Sequence, residues 1–243
     1  MNITRHIPNT ITSMNLLCGA VGVICVFNGE PGTAFLLMLL AAVCDFFDGL
    51  SARALGAYSP IGKELDSLAD LVSFGLLPSL MLHRMMTLLA PQAGLLCYVP
   101  LLLAVFSALR LAKFNIDERQ SDNFLGLATP ASAMICGSLT YYIAHDPESF
   151  LTRFAGGPVF IPVLTVILCA LMVSEIPMFS MKIKKGIQKD SPVYKLRVAF
   201  AGVIVVSVVL VALLGLNWSM IVLLVFVLYV IMNLINALTM RKS

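Results

Sequence analysis

Long apolar runs, separated by short polar segments that often contain Gly or Pro, dominate the chain. Each run is about 20 residues long, which is the length an α-helix needs to cross the hydrocarbon core of a bilayer. The pattern predicts eight membrane-spanning helices, over residues 10–28, 32–55, 63–86, 93–113, 129–145, 158–176, 195–215 and 217–239. No polar block between them is large enough for a separate soluble domain, so we expect one domain over residues 1–243.

The composition supports the same architecture. Of the 243 residues, 59% are hydrophobic and only 12% are charged, and the mean hydropathy is +0.95. A soluble domain carries about 25% charged residues. The composition therefore excludes an ordinary soluble protein and indicates an all-α, polytopic membrane helical bundle. The first apolar run has no clear small-residue cleavage site, so we interpret it as a retained helix.

The basic residues are distributed unevenly between the two sides of the predicted bundle. With eight spans both termini share one side, and all but Arg84 and Arg153 of the 16 Lys and Arg residues fall on that side. The positive-inside rule therefore predicts that both termini lie in the cytoplasm. We expect an integral protein of the inner (cytoplasmic) membrane. We interpret the basic segment 182–189 as attracted to anionic membrane lipids. It has no stacking platform for bases, so no nucleic-acid partner is expected.

Four aspartates interrupt two of the apolar runs. Asp45 and Asp48 are three residues apart in the second span, and Asp66 and Asp70 are four apart in the third. Each pair therefore projects from one helix face. A charged residue at a helix centre costs about 2.5–3.5 kcal/mol on insertion, so four of them indicate a function. Because the two helices are antiparallel and the depths match, we expect a single carboxylate cluster, and an active site, at the cytoplasmic face.

Four neighbouring carboxylates would repel one another unless cations neutralise them. Carboxylate oxygens favour hard cations such as Mg²⁺, Mn²⁺ or Ca²⁺. No soft ligand is placed to join them, since His6 and His145 lie outside these helices and His83 lies at the far end of the third span. The sequence therefore predicts a divalent-metal site and argues against zinc.

Small residues and one arginine accompany the aspartates. Gly49, Ala52 and Arg53 follow Asp45 by four, seven and eight residues, on the same helix face, and Gly62 lies four residues before an aspartate of the third span. Small side chains let a ligand approach the backbone, and a guanidinium binds phosphate oxygens. Together with metal ions, this set indicates a site for a pyrophosphate.

The spacing of these residues matches a known pattern. The segment 45–53, followed by Gly62, Asp66 and Asp70, reads DxxDGxxARx8GxxxDxxxD in every fixed position. It resembles the signature of the CDP-alcohol phosphotransferases, which transfer a phosphatidyl or related group from a CDP-linked lipid to an alcohol and release CMP. The resemblance implies that family's fold, with a six-helix core over about 8–176, and a homodimer. The two helices over about 195–239 exceed this core, and we assign them no role beyond packing.

The resemblance also implies residue roles. Asp45, Asp48 and Asp66 correspond to the ligands of one divalent cation, Mg²⁺ or Mn²⁺, and Asp45, Asp66 and Asp70 to those of a second. Asp70 also corresponds to the general base. Positions that contact the CDP-lipid correspond to Asn9, Gly49, Ala52, Arg53, Ser59 and Gly62.

Further segments are similar to one branch of the family, the CDP-diacylglycerol–serine phosphatidyltransferases. They are residues 7–9, 15–19, 110–115, 126–130 and 171–174. Ala128 departs from this branch, which usually has Pro there. The resemblance implies CDP-diacylglycerol and L-serine as substrates, and phosphatidylserine and CMP as products.

Serine is a zwitterion, so its pocket needs a cation for the carboxylate and an acceptor for the ammonium group. Residues near the cytoplasmic end of the fourth span and the start of the fifth are candidates for binding the acceptor, namely Arg110, Lys113, Asn115 and Thr129. The competing interpretation of Arg110 and Lys113 is that they extend to the interface as topology charges.

Two other functions compete with serine transfer. The same chemistry with glycerol 3-phosphate or an inositol phosphate would need several more basic residues, which segment 182–189 contains. A divalent-cation transporter would also place aspartates within the membrane. Such a path needs polar residues through both halves of the bundle, whereas the other half of these two spans is mostly apolar.

Overall fold

A computed structural model describes residues 6–117, 124–179 and 192–240 of the chain. The segment 182–189, which carries four of the basic residues, lies outside these ranges. The helices are α1 (Ile7–Phe27), α2 (Pro31–Leu55), α3 (Pro60–Asp70), a π-helical segment (Leu71–Leu76), α4 (Leu77–Leu89), a 3-10 segment (Pro91–Leu101), α5 (Leu102–Ile116), α6 (Thr129–His145), α7 (Phe150–Ala155), α8 (Phe160–Val173), α9 (Pro192–Leu213) and α10 (Ser219–Met240).

The all-α prediction is confirmed over the described residues, with one small exception. Two strands of two residues each, β1 (Phe124–Leu125) and β2 (Pro177–Met178), form an antiparallel pair in which Phe124 faces Met178. This pair joins the segment before α6 to the segment after α8.

Six helical segments within the described ranges are long and apolar enough to cross a membrane. They are Ile7–Phe27, Pro31–Leu55, Pro60–Leu89, Pro91–Ile116, Leu196–Leu213 and Ser219–Thr239. The predicted spans at 129–145 and 158–176 are also helical, but α6 has 17 residues and α8 has 14. The number of eight spans is therefore not confirmed, although each predicted segment contains a helix.

Local sequence explains where the helices that carry the aspartates begin and end. Pro31 and Pro60 occupy the first turns of α2 and α3, where a missing N–H costs nothing. Ser59 caps α3 by accepting a hydrogen bond of 3.1 Å from the backbone N–H of Gly62. Gly56 ends α2 with φ +58°, a left-handed conformation that glycine adopts without strain. A turn of four residues, 56–59, therefore reverses the chain between the two helices.

The π-helical segment directly follows Asp70 and packs closely against two other helices. Gly19 of α1 faces Ser73, and a Cβ on Gly75 would lie only 2.9 Å from the Cβ of Ser107 on α5. Only small residues permit this approach, and π-helical turns frequently occur at functional sites. The close packing places the polar residues of α1 against Asp70.

The core surrounds α6, which is buried along most of its length. α10 packs against α6, and α9 packs against α10 at the outside of the bundle. Many large apolar side chains remain exposed, including Val205 and Leu213 on α9. Such a surface is stable in lipid, where helices satisfy their backbone hydrogen bonds internally.

Candidate active site

Three carboxylates converge between α2 and α3. Asp45, Asp48 and Asp66 each offer an oxygen atom, and these atoms lie within 4.8 Å of one another. Asp48 is buried, whereas Asp45 and Asp66 are half-buried. The matched depths of the two antiparallel helices predict this convergence. The three residues are also the set that the family resemblance assigns to the first metal ion.

The fourth aspartate lies deeper and outside this group of three. Asp70 is buried at the junction of α3 and the π-helical segment. Its Oδ1 accepts a hydrogen bond of 3.2 Å from Nδ2 of Asn15. Its charge interacts with those of Asp45 and Asp66, so all four carboxylates form one electrostatic unit.

Two polar residues of α1 hold carboxylates and were missed as site residues in the sequence. Oγ1 of Thr12 donates a hydrogen bond of 2.7 Å to Oδ2 of Asp48, and Asn15 binds Asp70. Ser73 donates to the backbone oxygen of Asn15 at 2.9 Å and thereby fixes α1 against the π-helical segment. The available signal was that Thr12 and Asn15 are polar residues three apart in an apolar run, and so share one helix face.

The donor set suits a hard divalent cation. Oδ1 of Asp66 is buried and has no hydrogen-bond partner among the described residues. Buried polar atoms are normally paired, so this oxygen is available for a ligand. Within the described ranges, the group that could hold a metal ion consists of carboxylates alone. Oxygen ligands without His or Cys fit Mg²⁺ or Mn²⁺.

A cavity of about 510 Å³ adjoins the carboxylates. This volume is within the usual range for a small-molecule site. Asp48 and Asp66 form part of its wall. Five of the six predicted CDP-lipid contacts also line it, namely Asn9, Gly49, Ala52, Ser59 and Gly62.

Arg53 is the exception among those six residues. It is exposed, does not line the cavity, and extends along α2 so that its Nη1 would lie 3.7 Å from a Cβ placed on Gly49. Lys63, which the sequence indicated only as a topology charge, does line the cavity. Its Nζ donates a hydrogen bond of 2.8 Å to the backbone oxygen of Asn115. Two positively charged side chains, Lys63 and Arg53, therefore lie at or near the cavity.

Gly62 leaves space at the start of α3. A Cβ at this position would lie 2.9 Å from both Oδ1 of Asn9 and Oγ of Ser59. The absence of a side chain therefore lets these two polar groups face the cavity together.

The predicted acceptor residues do not meet in one pocket. Arg110 is buried, so it is not a charge extended to the interface. Its Nε donates to the backbone oxygen of Leu127 at 2.6 Å, and its Nη1 to Oγ1 of Thr129 at 3.4 Å. The guanidinium also interacts electrostatically with Asp70. Arg110 and Thr129 therefore lie together on the side of Asp70.

Lys113 and Asn115 make different contacts. Nζ of Lys113 forms an ion pair with Glu175 at 3.5 Å, in which both side chains are substantially exposed. Nδ2 of Asn115 donates to Oγ of Ser67 at 2.9 Å and so ties the end of α5 to α3. Acceptor binding by these residues stays a prediction.

Comparisons with known proteins agree with the sequence signature. A family model described as CDP-alcohol phosphatidyltransferase matches residues 5–183. The chain is 34% identical over 172 residues to the CDP-diacylglycerol–serine O-phosphatidyltransferase of Bacillus subtilis, a match that covers 71% of this chain and 89% of the relative.

Two further relatives match over shorter stretches. The chain is 33% identical over 130 residues to the CDP-diacylglycerol–serine O-phosphatidyltransferase of Helicobacter pylori, covering 53% of this chain and 54% of the relative. It is 29% identical over 155 residues to the archaetidylserine synthase of Methanothermobacter thermautotrophicus, covering 60% and 63%. The chain thus spans most of the Bacillus relative but only about half of the Helicobacter one. Residues 184–243, which include α9 and α10, lie beyond the family match.

Proposed function

Because the chain belongs to the CDP-alcohol phosphatidyltransferase family, we propose that it transfers the phosphatidyl group of CDP-diacylglycerol to the hydroxyl of L-serine. The products are phosphatidylserine and CMP. The observation that carries the proposal is the group of three carboxylates, two of which, Asp48 and Asp66, line a cavity together with Gly49, Ala52 and Gly62 of the family signature. The choice of serine rests on the names of the relatives and on the similar segments around Arg110 and Thr129.

In this proposal the chain holds two divalent cations, Mg²⁺ or Mn²⁺, which neutralise the pyrophosphate and its developing charge when bound. Asp45, Asp48 and Asp66 hold one, and Asp45, Asp66 and Asp70 hold the other. Thr12 orients Asp48 through its hydrogen bond of 2.7 Å. A ligand held in one orientation loses less freedom when the cation binds, so Thr12 contributes to metal affinity.

Asp70 is the proposed general base. Asn15 donates a hydrogen bond to its Oδ1, and in this proposal Oδ2 accepts the proton of the serine hydroxyl. The serine oxygen then bonds to the phosphorus of the phosphatidyl group, and the bond from that phosphorus to the CMP oxygen breaks. The electron pair of the broken bond stays on the CMP oxygen.

The CDP moiety occupies the cavity of about 510 Å³ in this proposal. Gly49, Ala52 and Gly62 admit it close to the backbone. Lys63, in the wall, and Arg53, beside Gly49, supply positive charge to the phosphate oxygens. Arg110 attracts the serine carboxylate on the side of Asp70, with Thr129 beside it.

The reaction is tested by CMP release from CDP-diacylglycerol by the purified full-length protein. The alcohol panel contains serine, glycerol 3-phosphate, an inositol phosphate and no alcohol, each with Mg²⁺, Mn²⁺ or a chelator. We expect release that requires serine and a divalent cation. Release with glycerol 3-phosphate alone would refute the choice of acceptor. Transport of a divalent cation into proteoliposomes without CMP release would refute the proposed enzymatic activity.

The membrane orientation belongs to the same proposal, with the active site and both termini in the cytoplasm. All six native cysteines are buried, so an introduced cysteine reports its own exposure. Tyr58, beside the carboxylates, is 73% exposed, and Phe150, near Arg153, is 83% exposed. An impermeant thiol reagent added to intact cells should label Phe150→Cys and spare Tyr58→Cys. Labelling of Tyr58→Cys and not of Phe150→Cys would show the opposite orientation and refute the proposed one. Chemical crosslinking of the purified protein tests the homodimer.

A further inference from the structure

Two residues of α10, which lies beyond the family match, bind the backbone of the segment that follows α8. Asn233 is fully buried, and its Oδ1 accepts a hydrogen bond of 2.8 Å from the backbone N–H of Phe179. The hydroxyl of Tyr229 donates to the backbone oxygen of the same residue at 3.0 Å. Nδ2 of Asn233 donates to the backbone oxygen of Tyr229 at 2.8 Å, which fixes its orientation. Both backbone polar groups of Phe179 are therefore bound by α10.

Phe179 directly follows β2, and β2 holds the segment before α6. β2 pairs with β1, and the N–H of Gly126 donates to the backbone oxygen of Ile176 at 2.9 Å. The N–H of Leu127 donates to the backbone oxygen of Leu171 at 2.9 Å. Gly126 has φ +74°, and a Cβ there would lie 2.6 Å from the backbone oxygen of Met172. Residues 124–127 therefore lie tightly against the end of α8 and against the segment after it, which α10 binds at Phe179.

The segment before α6 in turn holds Arg110. The backbone oxygen of Leu127 accepts the hydrogen bond of 2.6 Å from Nε of Arg110, and Thr129 accepts the second one. The guanidinium also interacts electrostatically with Asp70 and with Tyr229. Asn233 is thus linked to Arg110 by hydrogen bonds to Phe179, between β2 and β1, and to Leu127, which the backbone of residues 177–179 and 124–127 connects.

We propose that Tyr229 and Asn233 are positioning residues for the acceptor side of the active site. They hold residues 174–179 and, through β1 and β2, the segment 124–129. This segment fixes the guanidinium of Arg110 and the hydroxyl of Thr129 relative to Asp70. The inference rests on the proposed function in assigning Arg110 and Thr129 to the acceptor alcohol.

The physical reason is the irregular backbone at this end of the bundle. Residues 124–128, before α6, and residues 174–179, after α8, leave N–H and C=O groups outside helices. Such groups need protein partners where water is excluded. Tyr229 and Asn233 supply them for Phe179. A displacement of about 1 Å near reacting groups can lower the rate about a hundredfold. Loss of the hydrogen bonds from Tyr229 and Asn233 can therefore affect the reaction without direct contact with the substrates.

Two variants test the proposal in the full-length protein. Asn233→Leu is similar in size and removes the hydrogen bonds to Phe179 and Tyr229, whereas Tyr229→Phe removes one hydroxyl and keeps the ring contacts with Phe179 and Phe200. We expect Asn233→Leu to raise the KM for serine about tenfold, which corresponds to about 1.4 kcal/mol. The KM for CDP-diacylglycerol should stay at the wild-type value. Leu238→Ala, at a 61% exposed position of the same helix, is the matched control.

The two KM values separate positioning from simple structural support. A variant that only loosens the bundle would lower kcat or weaken both substrates together, and that result would refute the proposal. The effects of Tyr229→Phe and Asn233→Leu should be less than additive, because both act on Phe179. Full additivity would also contradict it.

A second measurement does not depend on the acceptor. In Asn233→Leu, hydrogen exchange of the backbone amides in 124–129 and 171–179 should be faster than in Leu238→Ala. Equal exchange rates would refute the inference even if serine were confirmed as substrate. Wild-type protein that releases no CMP with serine would refute the proposed function instead, and the exchange measurement would still decide the inference.

Trp218 reports whether α10 stays docked. It is the only tryptophan of the chain, it stacks on Phe35 at 5.7 Å, and its Nε1 donates to the hydroxyl of Tyr141 at 3.3 Å. Unchanged tryptophan emission shows that the variant keeps the packing of α10. If Asn233→Leu shifts the emission, the smaller change Tyr229→Phe decides between a selective rise in the KM for serine, which supports the proposal, and none, which refutes it.

Discussion

Replacement of Asn15 by Leu tests whether α1 orients the general base. The two side chains are similar in size, so the change removes the hydrogen bond to Oδ1 of Asp70 and leaves no large cavity. The backbone oxygen of Asn15 keeps its bond to Ser73. Asn15 is fully buried and its own Oδ1 has no partner among the described residues. An apolar side chain therefore also removes one unsatisfied acceptor.

The expected magnitude follows from the kind of hydrogen bond that is lost. A bond to a charged group contributes about 1.5–3 kcal/mol. If this bond holds Asp70 in the orientation that accepts the proton, its loss lowers kcat about 10- to 150-fold, since about 1.4 kcal/mol corresponds to a tenfold change. The free energy of unfolding should fall by less than this, because the unpaired oxygen of Asn15 disappears with the side chain.

The assay is the initial rate of CMP release at saturating substrates, together with the melting temperature of the purified protein in detergent. Met14→Leu, at an exposed position of the same helix, is the control and should keep the wild-type kcat. A kcat within about twofold of wild type in Asn15→Leu, an effect of about 0.4 kcal/mol or less, would refute the role of Asn15. A large drop in melting temperature with a proportional loss of active protein would show a structural role instead.

Three other changes test separate parts of the site. Asp70→Asn should abolish CMP release and leave the melting temperature close to that of wild type, and near-normal turnover would refute the base assignment. Thr12→Val removes the hydrogen bond of 2.7 Å to Asp48 and should raise the Mg²⁺ concentration for half-maximal activity about tenfold. An unchanged Mg²⁺ dependence of the activity would contradict the proposed orientation of Asp48. Gly62→Ala would place a Cβ 2.9 Å from polar atoms of Asn9 and Ser59. It should raise the KM for CDP-diacylglycerol about fivefold, or about 1 kcal/mol. A change in the KM for serine alone would mean that the CDP moiety binds elsewhere.

The sequence was informative wherever the signal is local. Apolar runs of membrane length predict helices, and a single helix period decides which side chains share a face. Asp45, Asp48 and Asp66 meet because two antiparallel helices are joined by the short turn 56–59, which makes their depths calculable. The residues that line the cavity follow the same rule, since Gly49, Ala52 and Gly62 belong to these two helices.

The acceptor side could not be predicted in the same way. Arg110 was recognised as a candidate, yet the sequence does not show that its hydrogen bonds go to Leu127 and Thr129. Lys113 and Asn115 follow it closely in the chain, but helical geometry turns them to Glu175 and Ser67. Their partners lie in other parts of the chain, Glu175 after α8 and Ser67 on α3, so proximity in the sequence was a poor guide to a common pocket.

The sequence alone therefore determined the helical membrane architecture, the family and the carboxylate cluster, because each depends on short-range periodicity and on a motif within two neighbouring helices. Only the tertiary structure decided which side chains hold the carboxylates. Thr12 and Asp48 are 36 residues apart in the chain, and Asn15 and Asp70 are 55 apart. The bonds from α10 to Phe179 span 50 and 54 residues. Contacts at such separations depend on how the helices pack against one another. Small residues such as Gly19 and Gly75 allow this close packing, but the sequence of a single helix does not specify its neighbours.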